Sequence, residues 1–308
     1  MSKTILVATS KPFAKKAVES ILEIGEKRGY EVRLLESYTE EQQLLDAVKG
    51  VNALIIRSDK INSRVIDSSD NLKIVVRAGA GYDNVDLDAA SGKNIVVMNT
   101  PGQNSNAVAE LAFGMMAFMA RNKFNGKSGT ELKGKKLGIH AYGNVGKFVA
   151  GIAKGFGMET YAYDPFIDAS VIENDGVKSV NSAEELYSTC QYISLHIPSN
   201  EKTKNSINFD LLSKMPKGAT LVNTARKEVV HEESLLKMLK EREDFNYLSD
   251  IAPDCADDIT AEYDSRTLFT PKKMGAQTAE ANINAGIASI NQIIDYFEKN
   301  DTTFQVNK

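Results

Sequence analysis

The chain has 308 residues, 42% of them hydrophobic and 25% charged, with a net charge of −4. These are the proportions of a folded globular protein of about two domains, and they exclude disordered, collagen-like and coiled-coil architectures. The mildly acidic balance argues against a nucleic-acid partner, which would require a basic face, and the chain contains no tryptophan.

The N-terminal apolar stretch is too short for a signal peptide. Short β-branched runs then alternate with amphipathic stretches. The first series predicts strands at 5–7, 32–35, 53–56, 74–76 and 95–97, with helices at 13–27 and 40–49. Asn99-Thr-Pro-Gly-Gln103 marks a break before a long helical pattern at 105–121. A polar stretch rich in glycine and lysine follows at 122–134. The second series predicts strands at 137–139, 160–163, 192–195 and 220–222, with helices at 145–156 and 233–240; a last helix spans 278–300. Strands alternating with helices imply βαβ units and parallel sheets, and nearly all-apolar strands imply sheets covered on both faces. The pattern alone leaves open which unit the last helix packs on. The most apolar segment, 111–120, falls well short of the roughly 20 residues of a membrane span. Cys190 and Cys255 lie too far apart for a metal-ligand pair and form no disulfide framework, so no metal is expected. A soluble, cytoplasmic protein is the expectation.

One segment carries recognisable chemistry. Residues 134–150 read as strand, glycine turn and helix, with Ala141-x-Gly143-x-x-Gly146 at the turn. A dinucleotide-binding turn needs no side chain at Gly143, where backbone approaches a pyrophosphate, and none at Gly146, where helix packs on strand. The helix N-terminus, from Asn144 and Val145 onward, offers amide donors and partial positive charge. Ala141 stands where the first glycine of the pattern would be. A glycine pair alone is a weak signal. Its context strengthens it, because the strand at 160–163 ends on Asp164, suited to ribose hydroxyls and repulsive to a 2′-phosphate. NAD is therefore expected over NADP.

The strings Arg77-Ala-Gly-Ala-Gly-Tyr-Asp-Asn-Val-Asp-Leu87, Asn99-Thr-Pro, Val108-Ala-Glu110, Asp164-Pro165, Leu195-His-Ile-Pro198 and Val222-Asn-Thr-Ala-Arg226 occur in an order that resembles the D-2-hydroxyacid dehydrogenases. The likeness runs from about residue 50 to 290 and is strongest to the branch acting on D-3-phosphoglycerate. It implies an α/β fold of two Rossmann-like domains with parallel sheets and a cleft between them: 1–99 plus 278–308 for substrate, 100–277 for NAD. It further implies NAD-dependent oxidation of D-3-phosphoglycerate to 3-phosphohydroxypyruvate in serine biosynthesis, by a homodimer built through the cofactor domains. Arg226 would bind the substrate carboxylate, a task suited to its planar, permanently charged fork. Ala141, Gly143, Asn144, Val145, Gly146, Asp164, His196, Pro198, Thr203, Thr224 and Asp250 would line the cofactor. Ala78 and Gly79 would hold the substrate carboxylate by their amides, with Asn104 nearby; Arg57 and Arg77 are candidate cations for its anionic end, or else solvated surface charge.

The chain departs from the family in several places. The family's acid/base histidine falls within Pro271-Lys-Lys-Met-Gly-Ala-Gln-Thr278, where alignment on the glycine puts Lys273 in its place and alignment on the proline puts Lys272 there. Lysine near its ordinary pKa of about 10.4 is a good acid and a poor neutral-pH base; desolvation and the cations around it would lower the value. Lys273 is expected to serve as acid/base, or else as a cation that stabilises an alkoxide. None of the other histidines substitutes: His140 is expected in a strand core, His196 in a structural role at a strand end, and His231 solvated at a helix start. Where the family pairs its histidine with a glutamate the chain has Cys255, and Asp254 is the adjacent candidate. The segment 121–130 is shorter than the corresponding family arm, which carries a tryptophan, and leaves Lys123 and Lys127 as its cations. The 308 residues leave no room for a C-terminal regulatory domain. Alternative readings are a hydroxypyruvate/glyoxylate reductase, a D-lactate dehydrogenase, or a non-catalytic NAD-sensing interaction protein.

Overall fold

The computed structural model describes residues 3–307 and divides into two compact units. Unit 1 comprises Met1–Asn104 and Gln277–Lys308; unit 2 is Ser105–Ala276. The chain crosses between them at the start of one long helix and just before another.

Unit 1 runs β1 (Thr4–Thr9), α1 (Lys15–Lys27), β2 (Glu31–Glu36), α2 (Glu41–Ala47), β3 (Ala53–Ile56), α3 (Ser63–Asp67), β4 (Ile74–Arg77), α4 (Leu87–Gly92) and β5 (Val96–Asn99). Its sheet is parallel in the order β2-β1-β3-β4-β5. Alternate residues of each strand face opposite layers. Ile5, Val7, Ile55, Ile74 and Val76 pack in one core, and Leu6, Ala8, Leu54, Ile56 and Val75 in the other. This two-sided burial is why the strands read as continuous apolar runs. The C-terminal helix, left unplaced by its sequence pattern, packs on α1 and supplies Ala285, Ile290, Ile293 and Ile294 to the first of these cores. Beyond it the chain pairs with β5: Val306 donates to the Val97 carbonyl (2.9 Å), and buried Asn307 accepts from the Val97 amide (2.8 Å) and donates to the Ile95 carbonyl (2.8 Å).

Unit 2 runs α5 (Ser105–Ala120), β6 (Lys136–His140), α6 (Asn144–Gly155), β7 (Glu159–Tyr163), α7 (Ala169–Asn174), β8 (Lys178–Ser179), α8 (Ala183–Thr189), β9 (Tyr192–Leu195), α9 (Phe209–Leu212), β10 (Thr220–Asn223), α10 (Glu232–Glu241), β11 (Asn246–Ser249), α11 (Ala256–Tyr263) and β12 (Thr267–Phe269); the C-terminal helix of unit 1 is α12 (Ala279–Lys299). The seven strands are parallel in the order β12-β11-β10-β9-β6-β7-β8. The order reverses between β6 and β9, the place where open α/β sheets leave a crevice at their carboxyl ends.

The short segment after α5 lies within unit 2. Asn122, Lys123 and Phe124 form a left-handed turn with φ of 50°, 52° and 55°. Lys123 donates to the Asp264 carbonyl at 2.5 Å, so this cation is committed inside its own unit. No described helix is long and apolar enough to cross a membrane.

Candidate active site

At the switch point of unit 2, β6 ends on His140 and the chain turns sharply at Ala141, whose φ is +80°. Left-handed backbone costs a residue with a Cβ about 1–2 kcal/mol, so this turn holds strain where glycine would hold none. Tyr142 is fully buried and its hydroxyl donates to Asp175 at 3.0 Å, anchoring the turn from beneath. Gly143 caps α6 with no side-chain acceptor, so the first amides of the helix stay open. A Cβ on Gly146 would stand 2.5 Å from the Ala141 carbonyl oxygen, whereas one on Gly143 would meet nothing within 4 Å. Gly146 therefore serves packing, and Gly143 leaves room beside the amides. Asp164 follows β7; its carboxylate accepts from the amides of Tyr142 (2.8 Å) and Phe166 (2.9 Å). The acid thus braces the turn.

These features fit a dinucleotide: open helix amides for a pyrophosphate, an unfilled space at Gly143, and a carboxylate at the next strand end. The Thr224 hydroxyl, at the end of β10, is buried without a hydrogen-bond partner among the described residues. Thr203 is placed differently: its hydroxyl donates to the Pro198 carbonyl at 2.5 Å and closes the turn after β9.

His140 and His196 sit on neighbouring strand ends, joined by the His196 amide donating to the His140 carbonyl at 2.9 Å. His140 Nδ1 lies 3.3 Å from the Tyr187 hydroxyl, and His196 Nε2 lies 2.9 Å from Ser194 Oγ. Burial pushes His140 down to about 4 and His196 to about 3, so both are neutral and structural. His231 caps α10, accepting from the Ser234 amide, rather than standing solvated.

The Asn-Thr-Ala-Arg turn follows β10. Asn223, part of that string but given no role of its own, brackets it: its side-chain Oδ1 accepts from the Ala225 amide (3.0 Å) and its Nδ2 donates to the Arg226 carbonyl (2.9 Å). Arg226 Nη1 donates to the Ala225 carbonyl oxygen at 3.0 Å, and Lys273 Nζ donates to the same oxygen at 2.9 Å. One carbonyl therefore gathers both cations. Both lysines are exposed, so the desolvation expected of Lys273 is not found; the Lys272 carbonyl accepts from the Thr270 hydroxyl at 2.8 Å.

Asp250 is 1% exposed and holds the lysine-bearing loop. Its oxygens accept from the amides of Met274 (2.7 Å) and Gly275 (2.8 Å) and from the Thr270 hydroxyl (3.0 Å). Asp254 does not join Lys273: its carboxylate pairs with Lys227 and is largely exposed. The physical reason is the path of the loop, drawn towards α10 by Glu232, which accepts from the amides of Asp254 (2.7 Å) and Cys255 (3.0 Å). Burial pushes the Cys255 thiol up to about 12, which keeps it inert as an acid or nucleophile.

In unit 1 the candidate anion-binding residues stand at the carboxyl ends of β3 and β4. Arg77 Nε donates to the Arg57 carbonyl at 3.0 Å. The Arg57 guanidinium donates to the carbonyls of Pro12 (2.7 Å) and Lys11 (3.2 Å) and lies over the Phe13 ring, so it is a tethered cation rather than a solvated one. Gly79 has φ +147°, and a Cβ there would meet the Arg77 guanidinium at 1.6 Å. The Ala78 amide is spent on the Ile56 carbonyl at 2.8 Å, extending the sheet, and so is not available to a substrate carboxylate. Asn104 is the last residue before the first crossing.

Residues 105–261 match the family model described as D-isomer specific 2-hydroxyacid dehydrogenase, NAD binding domain. An NAD⁺-bound 3-phosphoglycerate dehydrogenase structure from Entamoeba histolytica is 47% identical, with a TM-score of 0.89, over 100% of this chain and 99% of that one. D-3-phosphoglycerate dehydrogenase of Methanocaldococcus jannaschii is 36% identical over 77% of this chain and 47% of its own length. Hydroxypyruvate reductase of Thermotoga maritima is 34% identical over 85% of this chain and 90% of its own length. The chain spans about half the length of the curated phosphoglycerate dehydrogenases it matches. With this likeness and two parallel-sheet units, one carrying the dinucleotide turn, the chain belongs to the D-isomer-specific 2-hydroxyacid dehydrogenase family.

Proposed function

We propose that the chain is an NAD-dependent dehydrogenase that oxidises D-3-phosphoglycerate to 3-phosphohydroxypyruvate. The observation that carries this reading is the meeting of Lys273 and Arg226 on the Ala225 carbonyl, in the unit that holds the dinucleotide turn. Bound NAD supplies the hydride acceptor. Gly143 and the amides of Asn144, Val145 and Gly146 would hold its pyrophosphate, and Asp164 its ribose. Arg226 pairs with the substrate carboxylate and draws electron density from the reacting carbon. Lys273, as a neutral amine, takes the hydroxyl proton during oxidation and returns it as an ammonium during reduction. Because an ammonium must first lose its proton, oxidation is expected to rise towards alkaline pH, with reduction favoured near neutrality. Asp250 and Thr270 fix the loop that carries the lysine.

Arg57 and Arg77 supply cations for the phosphate, which a bidentate fork recognises well. A second copy of the chain is the expected partner; unit 2 exposes Phe148, Phe156 and Phe124 at 45%, 42% and 68%. Cytoplasmic serine biosynthesis is the pathway that the substrate implies.

The near full-length likeness to a hydroxypyruvate reductase favours a second reading, in which the substrate lacks phosphate. Steady-state kinetics with D-3-phosphoglycerate and D-glycerate, each with NAD, separate the two. A kcat/KM at least tenfold higher for the phosphorylated acid is expected, about 1.4 kcal/mol of discrimination; equal or reversed values would overturn the proposal.

A further inference from the structure

Loops following three strands of unit 1 meet on one carboxylate, and a fourth joins through their backbone. Asp59, two residues beyond Arg57, is 3% exposed. Its Oδ1 accepts from the Ser10 amide after β1 (2.6 Å) and from the Tyr38 hydroxyl after β2 (2.7 Å). Its Oδ2 accepts from the Arg57 amide after β3 (3.2 Å). Asn84, beyond β4, donates to the backbone carbonyls of Asp59 (2.7 Å) and Arg57 (3.2 Å). A buried carboxylate is costly unless its oxygens are satisfied. Here the donors come from separate loops, so satisfying the charge also fixes those loops relative to one another.

The consequence falls on Arg57. Its amide is tied to Asp59, while its carbonyl accepts from Arg77 Nε and from Asn84. Its guanidinium rests on the Lys11 and Pro12 carbonyls, in the same loop whose Ser10 amide is bound to Asp59. Asp59 therefore holds Arg57 at both ends: at the backbone, and at the loop that seats the charged head. We propose that Asp59 is a positioning residue for the substrate's anionic end, fixing the separation of the Arg57 and Arg77 guanidinium groups without itself touching substrate. This rests on the reading that those two arginines bind the phosphate. Tyr38 belongs to the same device. Its phenol is held above its ordinary pKa by burial and by Asp59, and so remains a donor.

Asp59→Asn keeps the shape but turns one acceptor into a donor. In this variant KM for D-3-phosphoglycerate is expected to rise about tenfold, as for a lost charge-assisted hydrogen bond. Expected to stay within about twofold are kcat, KM for NAD and KM for D-glycerate, because these do not depend on the anion seat. The inhibition constant of inorganic phosphate against the substrate should rise by the same factor as KM. Tyr38→Phe removes one donor and should give a rise in the same direction, about threefold. Asp67→Asn, which removes an exposed carboxylate paired with Lys93, is the matched control and should change nothing. An unchanged KM and phosphate inhibition constant in folded Asp59→Asn would overturn the proposal. So would equal rises for glycerate and phosphoglycerate, or a fall in kcat alone. If Asp59→Asn does not fold, Tyr38→Phe decides alone, and no rise in its KM would overturn the proposal. A wild-type enzyme without preference for the phosphorylated acid would refute the functional reading separately, before any variant is compared.

Discussion

Gly146→Ala and Gly143→Ala separate the packing role of the dinucleotide turn from its binding role. At Gly146 the new Cβ would lie 2.5 Å from the Ala141 carbonyl oxygen and 3.1 Å from Ile139. The first obstacle is backbone, already strained at Ala141, so α6 must withdraw by most of an ångström to restore ordinary contact. That loosens Val149 and Ala153, both fully buried on the same helix. Overpacking of this kind costs about 1–3 kcal/mol, and the better helix propensity of alanine returns up to about 1. A net loss of about 1–2 kcal/mol would lower the melting temperature of a unit of this size by roughly 2–8 °C. The displaced amides should also weaken NAD binding by about tenfold or more. At Gly143 the Cβ meets nothing in the protein and the backbone is extended. Gly143→Ala should therefore melt like the wild type yet lose NAD affinity, because its methyl group enters the space left for the pyrophosphate. The chain has no tryptophan to report binding by energy transfer. Calorimetric titration or the fluorescence of NADH itself is the suitable assay. Full NAD affinity in Gly143→Ala would refute the assignment of the turn.

Three further outcomes are expected. Lys273→Ala should lower kcat in both directions by about 10²–10⁴, the usual contribution of a positioned acid/base, while Lys272→Ala changes it less than about twofold; the reverse ranking in steady-state assays would reject the assignment. The depressed values of His140 and His196, about 4 and 3, make stability pH-dependent. The native chain keeps both rings neutral while the unfolded chain binds protons below about 6.5. Their contribution is therefore complete above that pH and is lost as pH falls towards 4 and then 3, on the order of a few kcal/mol. Urea midpoints that do not decline between pH 7 and pH 4.5 would contradict this. Asn307→Ala would leave the Val97 amide and the Ile95 carbonyl without their buried partner, at a cost of about 2–3 kcal/mol in thermal unfolding; a loss below about 0.5 kcal/mol would show that the edge of β5 is solvated instead.

The strands of both sheets were legible where burial on two faces makes a run wholly or almost wholly apolar, as in Ala-Leu-Ile-Ile of β3 and Ile-Val-Val of β4. The strands β8 and β12 escaped notice for physical reasons: β8 is two residues long and β12 has three. α12 was visible as a helix, but its partner was not, because amphipathicity names a face and not what covers it. Within the site, the glycine turn could be read from its own pattern, whereas Arg226 and Lys273 were reached only through the family likeness. Glu232 and Asp59 could not be read, because each accepts from groups far away in sequence, and any acceptor of the right length would look the same. Asp254 was misleading for a related reason: proximity in sequence to Asp250 says nothing about which way a loop turns, and Glu232 decides that.

The division of unit 1 between the two ends of the chain bears on the order in which the protein is made. Unit 2 is a continuous stretch and can fold once residue 276 has left the ribosome. Unit 1 cannot. At ordinary rates of synthesis its five strands wait on the order of ten seconds or more for α12, with the layer around Ile5, Val7, Ile55 and Val76 covered only by the α1 side. During that interval β5 also lacks its later pairing with Val306 and Asn307 and presents a bare edge. The nascent first third is thus the segment most in need of a chaperone. A slowly translated message would prolong the time for which this half-covered sheet is exposed.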